Sequence, residues 1–184
     1  DTGRTPDPDS ILATVWDSEY VTSQLQSILA QGEYDFVLVF LPLPDSHGHH
    51  KAAALLGLRA VQQMDSNEKP VVLGAWISSV GDTTALEYHG LEGYPDFEAT
   101  SVESLHRFDR THNIVGNDRL NYKIPANWLI AEHKSQGTMQ LFMNRGDYEE
   151  YWIFKGNDND ATDRARRYFE LLNTYESEAS STTL

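Results

Sequence analysis

The stretch from Tyr34 to Leu58, YDFVLVFLPLPDSHGHHKAAALLGL, decides the fold. Its first part, Phe36 to Leu43, is an almost unbroken apolar run that is rich in Val and Phe. Such a run is typical of a strand that is buried on both faces, as in a parallel sheet covered by helices. Proline cannot donate a hydrogen bond to a neighbouring strand, so Pro42 and Pro44 end the predicted strand.

A helical pattern follows this strand. From His50 to about Met64 apolar residues recur at helical spacing, and neither proline nor glycine falls between Lys51 and Leu56. The loop Asp45–His50, which carries three histidines, is therefore predicted to lie where a strand passes into a helix. In parallel sheets, this is the end at which ligands usually bind.

The rest of the chain predicts further helices and strands. Asp1–Ser10 has the composition of an irregular segment, and Ile11–Val15 fits a strand or a first helical turn. The next predicted helix is capped by Asp17 or Ser18, ends at Gly32, and buries Val21, Leu25, Ile28 and Leu29. Three later strands are predicted, over Pro70–Trp76, Phe97–Val102 and Gly146–Phe154, and the segment Ser101–Asp109 fits a short helix or an extended segment. Two later helices are predicted, one from Asn127 to about Phe142 and one from Asp160 to about Tyr175. The second of these helices is expected to bury Ala161, Ala165, Tyr168 and Leu172. The early order helix–strand–helix–strand indicates parallel βαβ packing.

The charge balance argues against two classes of partner. Lys and Arg total 14 against 28 for Asp and Glu, which gives a formal net charge of −14. A nucleic-acid groove or an anionic membrane surface requires the opposite sign. No stretch approaches the roughly 20 apolar residues that a bilayer span needs. We therefore expect neither a nucleic acid nor a membrane as partner.

The histidine loop has the chemistry of a metal site. The chain has no cysteine, which leaves His, Asp and Glu as the strong metal ligands. Two histidines three positions apart at a helix start can face one cleft, and Gly48 allows the backbone to turn tightly. One imidazole can then bind a metal while its neighbour holds or protonates a substrate. The alternative is a solvated loop in which Asp45 or Ser46 caps the helix.

The order strand, P-x-P-D-x-H-G-H-H-x-A-A, helix resembles the second metal motif of the PIG-L/LmbE deacetylases. These are zinc-dependent enzymes that remove acyl groups from amino sugars and related amides. The likeness continues in KPVVLG at Lys69–Gly74, in FDRT at Phe108–Thr111, and in NWLIAEHKSQG at Asn127–Gly137, which is similar to the family's late H-x-S-Q helix. The resemblance covers the chain from about Asp17 to Leu172.

The resemblance implies roles for single residues. His50 matches the metal-ligating histidine, and His47 matches the histidine expected near the substrate carbonyl as electrophile or general acid. His49 stands where many relatives have an acid, and it is expected to face solvent or to support a ligand. Asp45 is expected either to orient a histidine through its second N–H or to be a turn residue. His133 is either a structural histidine or a residue near the site.

The resemblance also implies the fold and a partner. It predicts an α/β, Rossmann-like three-layer sandwich with a largely parallel sheet, in which residues 1–178 form one partial domain and 179–184 a flexible tail. The family's A-H-P-D-D-E motif, which supplies two further ligands and the general base, does not occur in these 184 residues. We therefore expect the first strand or strands of the sheet, with this motif, on an N-terminal fragment of the same protein.

Three functions remain open. The first is hydrolysis of an acetamido group with Zn²⁺ or another divalent metal, and the second is a non-catalytic domain that binds carbohydrate or protein. The third is nucleotide binding, which ranks last because GLEG and GAW do not form a phosphate loop.

Two other sets of residues are assigned structural roles. Trp76, Trp128 and Trp152 are expected to pack in the core rather than to stack on a sugar. The polar set Asn157–Asp160 with Asp163 has some character of a calcium loop, but a solvated helix entry is the favoured interpretation.

Overall fold

The computed structural model describes residues 5–65, 69–83, 87–114, 117, 119–133, 135 and 145–181. They form a mixed α/β structure with one four-stranded sheet. The elements in chain order are α1 (Pro8–Thr14), α2 (Ser18–Gln31), β1 (Phe36–Phe40), α3 (Gly48–Gln62), β2 (Val71–Ser78), a 3-10 helix (Pro95–Phe97), β3 (His106–Asp109), α4 (Lys123–Glu132), β4 (Tyr148–Ile153) and α5 (Ala161–Ser181).

The sheet has the strand order β1-β2-β4-β3. β1 and β2 are parallel and are joined through α3, so the predicted parallel βαβ unit is confirmed. β4 runs antiparallel to both of its neighbours. A largely parallel sheet is therefore not confirmed, because among the described strands only one of three pairings is parallel. The reason is the position of β4, which lies between β2 and β3 and runs in the opposite direction to both of them.

Two apolar clusters cover the two faces of the sheet. On one face, Leu58 of α3 joins Val72, Trp152 and Phe154 in a buried core. On the other face, α5 packs Ala161, Ala165 and Phe169 against Val71, Leu73 and Ile153. The predicted core position of Trp152 is confirmed, since none of its surface is exposed. The sheet thus lies between α3 on one face and α5 on the other.

β1 differs from the prediction of a strand buried on both faces. Val37 and Val39 pack against the core, but Leu38 is 59% exposed and Phe40 is 43% exposed. β1 lies at the edge of the sheet, and α5 contacts it at Phe36 through the ring of Tyr168, with centroids 4.7 Å apart. The apolar run therefore forms a strand with only one face fully covered.

The amino-terminal segment is more ordered than its composition predicted. Residues expected to be irregular form α1, whose N-cap Asp7 accepts hydrogen bonds from the backbone N–H groups of Asp9 and Ser10. Pro8 occupies the first helical position, where a missing N–H has no consequence. The pair Asp7–Pro8 is thus a helix start, which the sequence analysis took for a loop. α2 agrees with its prediction at both ends, but its predicted buried stripe is not confirmed. Val21, Leu25 and Leu29 are half-buried, Ile28 is 54% exposed, and Thr22 is the buried residue of this helix.

The middle of the chain corrects three further predictions. No strand covers the described segment 97–102, which makes a single bridge between Ala99 and Phe154. α4 begins at Lys123, earlier than predicted, and His133 is its C-cap. The rest of that predicted helix, from 136 to 142, lies outside the described residues. Trp128 of α4 is 61% exposed, so its predicted core position is wrong.

The last helix follows its prediction in part. Ala161 and Ala165 face inward as expected, but Phe169 takes the inward position that was assigned to Tyr168 and Leu172. Helical backbone continues to Ser181, into the predicted tail, and residues 182–184 are not described. None of the helices in the described ranges is long and apolar enough to cross a bilayer.

Candidate functional site

A cavity of about 540 Å³ opens where β1 and β2 end. One wall is the loop 43–47 with His50 at the start of α3, and the other wall is the segment 87–90, which comes after β2. Phe40 and Trp76, from the ends of the two parallel strands, line it between these walls. The carboxyl ends of parallel strands are where ligands bind in open α/β sheets. The cavity thus lies where the sequence placed the site.

His47 and His50 both line this cavity. Their ring centroids are 5.7 Å apart, with the ring planes at 71°. Phe40 contacts the ring of His50, with centroids 4.8 Å apart. The two imidazoles therefore face a common, solvent-accessible space.

The loop conformation explains why His47 is available. Ser46 donates a side-chain hydrogen bond to the carbonyl oxygen of Leu43, at 2.8 Å, which closes the turn after the strand. His47 itself is the N-cap of α3, and its side chain makes no capping hydrogen bond. Neither Asp45 nor Ser46 caps the helix, which was the alternative for a solvated loop. The imidazole of His47 is therefore not committed to the helix end.

The amino-terminal segment supports the histidine loop from behind. The backbone N–H of Gly48 donates to the carbonyl oxygen of Thr5 at 2.7 Å. A Cβ atom at Gly48 would lie 2.8 Å from the carbonyl oxygens of Thr5 and Asp7, so only glycine fits here. The buried Lys51 donates to the carbonyl oxygens of Pro6, at 2.9 Å, and of Pro44. These contacts fix the backbone that carries the two histidines.

Electrostatics favour a neutral imidazole at position 50. Partial desolvation lowers the pKa of His50, and the neighbouring imidazoles of His47 and His49 lower it further. A neutral imidazole has the lone pair that a metal ion requires. Desolvation also lowers the pKa of Lys51, whereas the charges of Asp45 and Asp7 act in the opposite direction.

The other predicted residues divide between the cavity and its surroundings. Asp45 lines the cavity, but no hydrogen bond joins it to a histidine among the described residues. His49 points elsewhere, and its ring lies 5.5 Å from that of Trp16. His133 is exposed at the end of α4 and does not line the cavity. The structure therefore brings together His47, His50 and Asp45 only.

Three residues of the cavity were not predicted as site residues. Glu87 and His89 lie on the wall opposite the histidine loop, and the partly buried Trp76, which packs against the core as predicted, also lines the cavity. Nothing in the local pattern around Glu87 and His89 marks them, since they lie in a polar, glycine-containing segment. The available signal is positional, because that segment follows the strand parallel to β1.

The cavity brings two imidazoles together, those of His47 and His50. Zinc takes three or four protein ligands. Across the described ranges, no group of three or more His, Asp or Glu side chains is placed to hold a metal ion. The two imidazoles are of the donor type that zinc accepts, and they are fewer than its usual ligand number.

Two other polar features lie away from the histidine cavity. A cavity of about 1230 Å³ at the opposite end of the strands is lined by residues such as Asp35, Pro70 and Arg164, and none of the histidines reaches it. Asn157, from the suggested calcium loop, bonds through its side chain to the N–H and carbonyl of Val72, at 2.7 and 2.9 Å, and to the carbonyl of Phe154 at 3.0 Å. Its amide joins a turn to β2 and is not directed to a cation.

Comparison with protein-family models, with curated proteins and with solved structures finds no match to the chain. The resemblance to the PIG-L/LmbE deacetylases therefore stays a prediction, and a proposal for the function has to be based on the geometry of the cavity.

Proposed function

We propose that this chain is one half of a metal-dependent deacylase of the PIG-L/LmbE type. Its substrate would be an N-acylated amino sugar or a related amide. The observation that carries the proposal is the His47–His50 pair, with ring centroids 5.7 Å apart, on a cavity at the carboxyl ends of two parallel strands. A pocket of this size holds a small molecule and usually combines apolar walls with a few polar groups.

In this proposal each histidine has a separate role. His50 binds Zn²⁺ or another divalent cation through its neutral imidazole. When zinc is bound, it activates a water molecule and polarises the amide carbonyl. His47, when protonated, donates a hydrogen bond to the carbonyl oxygen of the substrate and stabilises the negative charge that develops there. Asp45 lines the same cavity, and its negative charge acts to raise the pKa of the nearby Lys51.

The free edge of β1 supports the proposal that a further strand completes the sheet. Among the described strands, β1 pairs with β2 alone. Asp35 and Leu41 bond to β2 through their backbone, so by alternation residues 36, 38 and 40 direct their N–H and carbonyl groups to the open side. Such an unprotected apolar edge is a template for pairing. A strand added there, in parallel, would give the Rossmann-like, largely parallel sheet that the resemblance implies.

The added strand would also complete the site. In a parallel arrangement, its carboxyl end would lie beside Phe40 and the histidine cavity. We propose that it belongs to an N-terminal fragment of the same protein and carries the A-H-P-D-D-E motif, with the missing ligands and the general base.

The test is release of acetate from N-acetylglucosamine by the 184-residue chain alone and joined to the residues encoded upstream of it. The proposal expects turnover only in the joined protein, and its loss in the His50→Ala variant. Full turnover in the joined His50→Ala variant would overturn the assignment.

A second candidate function is a non-catalytic domain that binds carbohydrate or protein through the same cavity. The observation in its favour is that the described residues contain no group of three or more side chains placed to hold a metal ion. It expects sugar binding that is independent of metal, and no hydrolysis in the joined protein.

A further inference from the structure

The wall of the cavity opposite the histidines is held in place by one buried side chain. Tyr88 is only 2% exposed, and its hydroxyl donates to the carbonyl oxygen of Phe97 at 3.2 Å. The backbone N–H of Ala99 donates to the carbonyl oxygen of His89 at 3.2 Å. These contacts anchor the segment to the core.

Gly90 fixes the same segment from its other end. Its φ of 142° lies in a region that side chains rarely adopt, and a Cβ there would lie 2.9 Å from the Cα of Glu98. Tyr88 faces the core, and the residues on either side of it, Glu87 and His89, both line the cavity. The wall is therefore a supported surface that carries two polar side chains.

We propose that Glu87 and His89 determine the specificity of the cavity by binding the hydroxyl groups of a sugar ring. This inference rests on the proposed function for its substrate class. Within the described residues, neither side chain makes a hydrogen bond, so both are available to a ligand. A carboxylate accepts hydrogen bonds from hydroxyl groups, and an imidazole donates or accepts them.

The rest of the cavity fits the same ligand. Phe40 and Trp76 offer apolar surface for the face of a ring, with ring centroids 5.2 Å apart. The amide of the ligand would then lie toward His47 and His50. In this placement the hydroxyl groups of the sugar face Glu87 and His89, and one face of its ring lies against Phe40 and Trp76. Its amide group faces the two histidines.

The test compares two probes that differ only in their hydroxyl groups. N-acetylglucosamine and N-cyclohexylacetamide are titrated by ligand-observed NMR in the presence of EDTA, so that no metal takes part. We expect the wild type to prefer the sugar, and Glu87→Gln and His89→Ala each to weaken sugar binding by about fivefold, the effect of one hydrogen bond. Binding of N-cyclohexylacetamide should not change. Glu92→Gln is the matched control for Glu87→Gln, since Glu92 does not line the histidine cavity; it lines a neighbouring cavity, to which His89 also contributes.

Two results would overturn the inference: no preference of the wild type for the sugar, or unchanged sugar affinity in both variants. Zinc titration of the same variants in a buffer without EDTA separates this inference from the proposed function. Zinc binding without a hydroxyl preference removes only the role of Glu87 and His89. A hydroxyl preference without zinc binding removes the metal site and leaves that role intact.

Discussion

His47 and His50 are one helical turn apart, and their rings meet at 71° with centroids separated by 5.7 Å. His47 precedes α3 as its N-cap, whereas His50 lies in its first turn. Because neither ring is used to cap the helix, both imidazoles are directed to the cavity between the segments that follow β1 and β2. The placement of the two rings depends on the backbone around Gly48, which packs against the carbonyl oxygens of Thr5 and Asp7.

The contact between Gly48 and the amino-terminal segment should be essential. We expect Gly48→Ala to lower the free energy of unfolding by about 1–3 kcal/mol, because the new Cβ meets two backbone oxygens that cannot move cheaply. Urea denaturation measures this change. Gly57→Ala is the control in the same helix: its Cβ meets only a side-chain methyl of Val39, and the gain in helix propensity offsets the contact. Equal stability of Gly48→Ala and wild type would show that the segment does not support the loop.

Lys51 should stabilise the same loop by a different means. Lys51→Met removes the donor for the carbonyl oxygens of Pro6 and Pro44. The expected loss is about 1–3 kcal/mol in the free energy of unfolding, toward the lower end because burial of the ammonium group is itself unfavourable, as its lowered pKa indicates. Chemical denaturation together with the NMR signals of the histidine rings would show whether the loop moves. Unchanged stability together with unchanged ring signals would show that Lys51 does not hold the loop in place.

His50 should make the protein less stable in acid. Its pKa is lowered in the folded state, so the unfolded chain binds a proton more readily. The stability that this group contributes is complete above the unfolded pKa of about 6.5 and is lost as the pH falls through the folded pKa. The melting temperature of His50→Gln should therefore fall less than that of wild type between pH 7.5 and pH 5. His133→Gln, exposed and outside the cavity, is the control. Parallel curves for wild type and His50→Gln would contradict the assignment.

Asn157 should act as a structural residue. Its side chain makes three hydrogen bonds, two to Val72 and one to Phe154, and Asn157→Ala removes them all. We expect a loss of about 1–3 kcal/mol in the free energy of unfolding, and almost none for the exposed Asn159→Ala. Calcium chloride should leave the melting temperature of the wild type unchanged. A stabilising effect of calcium that Asn157→Ala abolishes would restore the calcium-loop interpretation.

The two faces of β1 should tolerate charge differently. Leu38 is exposed, so Leu38→Lys should change the free energy of unfolding by no more than about 0.5 kcal/mol. Val39 packs against the core beside Gly57, and Val39→Lys should prevent folding or destabilise the chain severely. Circular dichroism and thermal melts distinguish the two. An equal loss of stability in the two variants would mean that the face of β1 that carries Leu38 is covered in solution.

The sequence predicted the parts of the fold that depend on local patterns. The apolar run, the change to helical spacing after His50, and the signals at Asp17 and Gly32 were sufficient for α2, β1, α3 and β2. The exposure of Leu38 could not be predicted, because burial of a strand's second face depends on its neighbours in space. The antiparallel position of β4 likewise depends on tertiary contacts, since β4 inserts between two strands, β2 and β3, that precede it in the chain.

For the site, only the placement of residues around the cavity can be compared with the sequence. His47 and His50 were singled out by their spacing at a helix start and by the family resemblance, and both line the cavity, while their roles stay predictions. Glu87 and His89 could not, since they reach the cavity only through the pairing of β2 with β1 and the anchoring of Tyr88. Trp128 was assigned to the core from its size alone, and the helix on which it lies has no buried residue among those described.

The most direct test of the account is a calorimetric titration, with zinc at pH 7.5, of the chain joined to the proposed N-terminal fragment that carries the missing ligands. Wild type should bind one zinc ion, His50→Ala should lose most of this affinity because it lacks a ligand, and His133→Ala should bind zinc like the wild type. If His50→Ala bound zinc as tightly as the wild type, the metal would lie elsewhere and the proposed role of this cavity would be wrong.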